Sequence, residues 1–191
     1  MHVLHVIMKK EINIAWLKRD LRTSDNLVLD ACEQDTIPYV IIYIFDPDII
    51  NSDNISKRHL KFIYHSISGM NTNLEKYNRC VKLLYGSSIE IFKEYFNMYY
   101  IKNIFAYQES GIRESYIRDL EIKKISSQNN TNFIEFEKDG VERGIKNRSG
   151  WDSRWFKKMK EDLTKNVFTL NSFKDTNNNF NPPKSFINDL S

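Results

Sequence analysis

The nine residues Ile37–Phe45, IPYVIIYIF, form a near-continuous apolar run without a charged side chain. A strand with one wet face alternates apolar and polar residues. An unbroken run of this length instead suits a strand buried on both faces, as in a parallel sheet. Four more short segments read as strands: Ile12–Leu17, Val81–Tyr85, Ile101–Tyr107 and Phe133–Phe136. Helical patterns fill the gaps. Ser24-Asp25-Asn26 offers a cap for a helix running to about Glu33. Ser56 offers a cap for a longer one, with Leu60, Ile63, Ile67, Met70 and Leu74 at spacings of three and four. Ser87 or Ser88 precedes Ile89–Met98, and Arg113–Ser126 places Tyr116, Ile117, Leu120 and Ile125 on or near one face. Strands alternating with helices predict an α/β fold: a doubly wound, five-stranded parallel sheet of Rossmann-like type, with right-handed crossovers. Of the strand orders this allows, 3-2-1-4-5 is the one guessed. Ligands in such sheets sit beyond the carboxyl ends of the strands, where the order reverses. That point lies between the first and fourth strands, where the loops Lys18–Asp25 and Gln108–Ser115 should meet.

Composition narrows the class. A length of 191 residues, 41% hydrophobic and 28% charged, is that of one globular domain. No apolar run approaches the roughly 20 residues of a membrane span. Two cysteines, Cys32 and Cys80, are too few for a disulfide scaffold or a four-cysteine zinc site. The start MHVLHVIM-KKE lacks a full export signal, so a cytoplasmic location is expected and no membrane partner. His2, His5, His59 and His65 have no metal-ligand spacing. No G-x-G-x-x-G, Walker-type loop or G-x-S-x-G elbow is present, which removes the usual dinucleotide, phosphate-loop and hydrolase sites. The net charge of +3 is unevenly spread: Gly140–Lys160 carries seven basic and two acidic side chains, interleaved with Trp151, Trp155 and Phe156. From about Leu170 the chain turns polar, with a triple Asn and a Pro-Pro, which is linker chemistry. The expected division is an extension over 1–10, an α/β domain over 11–165 and a linker-like tail over 166–191.

The exit of the first strand reads Trp16-Leu17-Lys18-Arg19-Asp20-Leu21-Arg22, then Ser24-Asp25-Asn26. This string resembles the opening of the DNA photolyase and cryptochrome family. Further elements follow in register: Ile44-Phe45-Asp46-Pro47, Ser56-Lys57-Arg58, Gly86-Ser87, Gln108-Glu109-Ser110-Gly111 and Tyr116-Ile117-Arg118-Asp119. Gly140-Val141-Glu142-Arg143-Gly144-Ile145-Lys146-Asn147-Arg148, with Gly150-Trp151-Asp152, resembles the edge of the same domain. The resemblance covers about residues 11–165. It implies the photolyase α/β domain, which holds a light-harvesting antenna chromophore of folate, deazaflavin or flavin type when one is present. It also implies a separate helical domain that binds FAD and damaged DNA, as partner in cis or in trans. That domain has no counterpart in the 191 residues, so the expectation is a chain inactive alone, with no catalytic residue and no metal of its own. Carried over by resemblance, the cofactor-binding candidates are Lys18, Arg19, Asp46, Lys57 and Glu109.

Each candidate has a structural alternative. Lys18 or Arg19 pairs with Asp46, Glu109 caps the following helix, and Asp20 fixes its own loop. Trp151 and Trp155, four apart, pack as one helix face. Two other functions stay open: a free-standing module binding a nucleotide or flavin at the switch point, and a basic nucleic-acid-binding module using Gly140–Lys160.

Overall fold

In the computed structural model of the chain, the described residues are 9–138, 140–141, 143–144 and 146–191. The N-terminal residues 1–8, with His2 and His5, and the motif positions Glu142 and Ile145 lie outside them. Five strands, β1 (Lys10–Leu17), β2 (Tyr39–Phe45), β3 (Val81–Tyr85), β4 (Tyr99–Tyr107) and β5 (Asn132–Phe136), pair in parallel in the order β3-β2-β1-β4-β5. The doubly wound sheet expected from the alternation is the one observed. β1 starts at Lys10, inside the expected extension, because Lys10 already pairs with Tyr99.

Two apolar clusters follow from the period of two along each strand. Ile12, Ile14 and Trp16 of β1 face α4 (Ser88–Met98) and α5 (Arg113–Gln128); Ala15 and Leu17 face α1 (Leu27–Gln34) and α3 (Lys57–Leu74). Every residue of β2 is buried. That is why Ile37–Phe45 carries no alternation.

The helix starts are local chemistry. Asn26 Oδ1 accepts from the Val28 and Leu29 amides at 3.1 and 3.2 Å, holding the first turn of α1. Asp46 serves two helices. Its Oδ1 accepts from the Asp48 amide in the short α2 (Pro47–Ile50), and its Oδ2 accepts from the Ser88 amide and hydroxyl at 2.8 and 2.6 Å. A carboxylate there also suits the helix dipole.

Two elements differ from the sequence reading. In α5 the buried residues are Ser115, Asp119, Ile122 and Ser126, while Tyr116, Ile117 and Leu120 are exposed. The inward face is chosen by Asp119 answering a buried lysine, described below, and a hydropathy pattern does not show that. The polar run after Leu170 does not hang free. Phe173 is buried, and Asp175 accepts from Lys82 Nζ, Tyr95 Oη and Tyr99 Oη at 2.7–2.9 Å. A last helix, α7 (Lys184–Leu190), sets Phe186 against Phe45 and Tyr85 and buries Leu190.

Candidate functional site

β1 ends in Lys18, whose aliphatic stem and charge are both buried. Its ammonium donates to the Tyr107 carbonyl at 2.7 Å and to Asp119 Oδ2 at 2.5 Å. Burial pushes the ammonium below its ordinary value, and Asp119 opposes that shift. Arg118 holds the other oxygen of Asp119, at 2.8 Å from Nη2. Both cations lie over Trp16, each 4.7 Å from the ring centroid. Lys18 thus ties the end of β1 to the end of β4 and to Asp119 on α5, at the point where the strand order reverses.

Asp20 stabilises the next turn. Its carboxylate accepts from the Lys18 amide at 2.9 Å, and its carbonyl accepts from Asn26 Nδ2 at 3.0 Å. Burial raises its carboxyl above the ordinary value. Arg22 pairs with Asp25 instead, at 2.9 Å. Arg19 then crosses to Glu109, 3.2 Å away. Its guanidinium lies against Gly111, where an ideal Cβ would stand 2.1 Å from Nη2. A side chain at 111 would displace the arginine.

Beside these groups opens a cleft of about 350 Å³. Its polar edge is Lys18, Arg19, Glu109, Ser115 and Arg118; its floor is Trp16, Tyr43 and Ile44; its wall is aliphatic, with Ile49, Ile50, Ile55, Leu60 and Ile63. Buried Tyr43 has its hydroxyl pushed above its ordinary value by desolvation. The volume lies at the small end of the roughly 300–1,000 Å³ usual for ligand pockets, and an apolar wall with a few convergent polar groups is their usual lining. The charges at the edge are paired, Lys18 and Arg118 with Asp119 behind them and Arg19 with Glu109. Arg19, its side chain 52% exposed, is the cation able to turn toward an anionic or carbonyl-rich group at the mouth.

Three of the five sequence candidates, Lys18, Arg19 and Glu109, meet at this cleft. Lys18 pairs with Asp119 rather than Asp46, and Glu109 pairs with Arg19 while Ile112 stands at the N-cap of α5. Asp46 and Lys57 are not among its lining. Asp46 caps α2 and α4, and Lys57 is exposed, 3.9 Å from Asp189 of α7. Sequence reasoning passed over Trp16, Tyr43 and His59 as lining residues and Arg118 and Asp119 as the anchors of Lys18. The last two stand in the motif Tyr116-Ile117-Arg118-Asp119, which was the available signal. Among the described residues no group of three or more His, Cys, Asp or Glu is placed to hold a metal, and no helix is long and apolar enough to cross a membrane.

Fold and cleft together define a doubly wound α/β domain with an apolar switch-point pocket. The family model of DNA photolyase matches residues 13–143, and the chain belongs to that family. A deoxyribodipyrimidine photo-lyase of Buchnera aphidicola is 31% identical over 123 residues, which are 61% of this chain and 25% of that protein. Cryptochrome-1 of Sylvia borin is 26% identical over 116 residues, 60% of this chain and 18% of the relative. The chain therefore spans about a quarter or less of the length of these relatives. Among solved structures, the cryptochrome of Synechocystis sp. superposes with a TM-score of 0.73 over 93% of this chain and 40% of its own, at 13% identity. The Sulfolobus tokodaii photolyase, described with two FAD molecules and a novel light-harvesting cofactor, gives 0.66 over 86% of this chain and 38% of its own, at 20% identity. Both likenesses show the fold.

Proposed function

We propose that this chain is the antenna-type α/β domain of a photolyase- or cryptochrome-like flavoprotein, and that its switch-point cleft holds a planar light-absorbing chromophore. The observation that carries the reading is the cleft itself: an aliphatic wall, a floor with Trp16 and Tyr43 and a half-exposed arginine, Arg19, at the mouth, at the carboxyl ends of a parallel sheet. The residues fit such a group. Ile49, Ile50, Ile55 and Ile63 would cover its apolar faces, and Arg19 would meet its polar edge. When bound, the chromophore supplies absorption of light, whose energy passes to FAD in a helical partner domain. The protein's own part is to orient the ring system and keep water from it. The candidates are of folate, deazaflavin or flavin type. Lys18 acts through Asp119 and Tyr107 as a positioning residue, and Asp46 and Lys57 have no role at this cleft.

The whole function is light-driven repair of pyrimidine dimers in DNA or blue-light sensing. It needs the FAD-binding helical domain, in cis or in trans, and through it the damaged base pair, reached by flipping. The chain spans 25% of the Buchnera photolyase, and we propose that the 191 residues alone repair nothing. The test is a titration of the chain with FMN, FAD, a reduced folate, a deazaflavin and ATP as control, followed by fluorescence. One of the light absorbers should bind with one-to-one stoichiometry, and Ile63→Trp, which fills the cleft from α3, should weaken it at least ~10-fold. Binding of none of them, or binding indifferent to Ile63→Trp, would contradict the reading.

A further inference from the structure

We propose that α7 is a working part of the ligand cleft. Phe186 and Leu190 are positioning residues that hold the cleft's floor and wall from behind, so that docking of α7 and binding of a ligand strengthen each other. The inference rests on the reading of the cleft as a ligand site. Unlike α6 (Trp151–Met159), none of whose residues is buried, α7 turns one face into the domain. Phe186 and Leu190 are four apart and share that face. Leu190 is buried in the same apolar cluster against which Leu60 and Ile63 of the cleft wall pack. Phe186 stands edge-on to Phe45, with ring centroids 5.1 Å apart, and Phe45 stands edge-on to Tyr43 at 5.0 Å. Tyr43 belongs to the cleft floor. α7 therefore lies one residue behind the floor and packs against α3, the helix that carries much of the wall.

α7 is a two-state element. A helix of seven residues is not stable on its own in water. Pro183 at its N-cap makes no side-chain capping bond. Its polar contacts to α3 are exposed: Asp189 with Lys57 at 3.9 Å, and the Ser191 carbonyl with Lys61 at 3.3 Å. Contacts of that kind contribute little. The chain just before α7 is fixed separately. The Phe180 carbonyl accepts from the Tyr85 amide at 2.8 Å, and Phe180 Cδ1 lies 3.1 Å from where a Cβ on Gly86 would stand. α7 thus docks or swings free as a unit beyond Asn181-Pro182-Pro183, and Phe186 and Leu190 decide which. Undocking takes a packing partner from Phe45 and from α3, and with it the fixed places of Tyr43, Leu60 and Ile63. A ligand that needs those three in place binds the docked state more tightly. By linkage it then stabilises that state by the same factor.

The experiment is amide hydrogen exchange of the full 191-residue chain, with FMN, FAD, a reduced folate and a deazaflavin as probes in turn, alongside titration of Phe186→Ala and Leu190→Ala with the same four. In the parent, a bound probe should slow exchange at residues 187–191, none of which lines the cleft, as well as at the cleft itself. Leu190→Ala should weaken binding roughly 5- to 150-fold, the usual span of coupling between two sites, and by no more than the factor by which the probe slows 187–191. Leu190→Met, of similar volume, should restore the affinity. Glu33→Gln, at the other end of the sheet, controls for a loss of stability that does not involve the cleft. Parent-like affinity in both alanine variants, or protection of the cleft with exchange at 187–191 unchanged, would overturn the proposal and leave the reading of the cleft intact. Binding of none of the four probes by the parent would overturn both. The parent's own exchange decides the matter even where Leu190→Ala does not fold.

Discussion

The two ends of one sheet carry cavities of different kinds. At the amino end, beside the starts of β1 and β2, lies a polar cavity of about 230 Å³ lined by Lys10, Glu33, Asp35, Tyr39, Arg79 and Thr169, among others. Its carboxylates are committed. Glu33 holds Arg79 at 2.9 Å, accepts from Tyr39 Oη at 2.5 Å, and accepts from the Thr169 amide and hydroxyl. Asp35 accepts from Asn13, Asn103 and the Ile37 amide. At the carboxyl end the charges are paired around Asp119 and Glu109, but they edge an aliphatic space with no protein group in it. A polar cavity whose groups are mutually satisfied is a structural joint. The apolar cleft with Arg19 at its mouth is the place proposed for a ligand.

The largest expected effect breaks the carboxyl-end anchor. Asp119→Ala leaves Lys18 buried without its counter-charge, and urea unfolding should show a loss of about 3–5 kcal/mol. The double change Lys18→Met, Asp119→Leu should recover most of it, since an apolar pair of similar volume is often tolerated. A single variant as stable as the parent would refute the anchor. Next comes the amino end. Glu33→Gln removes the charge from Arg79 and should lower stability by about 1.5–3 kcal/mol, yet leave chromophore affinity where it was. A change in affinity would erase the contrast between the two ends.

The tail gives a pH-dependent prediction. Burial pushes the Asp175 carboxyl up, but bonds from Lys82, the Asn177 amide, Tyr95 and Tyr99 outweigh it and hold the group below its ordinary 3.8. A depressed carboxyl stabilises the fold above its unfolded value and loses that contribution as pH falls through the lower folded value. Acid unfolding of the parent should therefore include a component below pH 3.8 that Asp175→Asn lacks. Identical acid profiles would remove Asp175 as the tail's pin. The smallest effect is expected from Glu109→Gln: Arg19 is half-exposed, so stability should change by about 0–1 kcal/mol. Any larger change should appear in ligand affinity, read by titration.

The sheet was legible because strand burial is written in apolar runs: the unbroken Ile37–Phe45 lies inside the sheet, and the observed order 3-2-1-4-5 is one of those that alternation and right-handed crossovers allow. The α5 face was not, because on its buried side Asp119 answers the Lys18 charge, and Ser115 and Ser126 bond the carbonyls of Ile112 and Ile122, so Ile122 is the one fully buried apolar residue there. Nor was the tail. Its Asn-rich composition reads as linker, but Asn166 brackets the backbone of Asn26, and Asn171 bonds the carbonyls of Asn78 and Phe173. These amides satisfy irregular backbone without any periodic pattern. At the cleft, the motif residues Lys18, Arg19 and Glu109 were readable, whereas the aliphatic wall comes from α2, α3 and the turn between them, which only the fold brings opposite β1.

The most direct test of the central claim is amide hydrogen exchange of the chain with and without saturating chromophore, using FMN and a reduced folate in turn. The account predicts slowed exchange in residues 49–63 and 109–118, around the carboxyl-end cleft, and none in residues 33–39 and 169–172 at the amino end. Slowing at the amino end, or no slowing at the cleft with either chromophore, would contradict it.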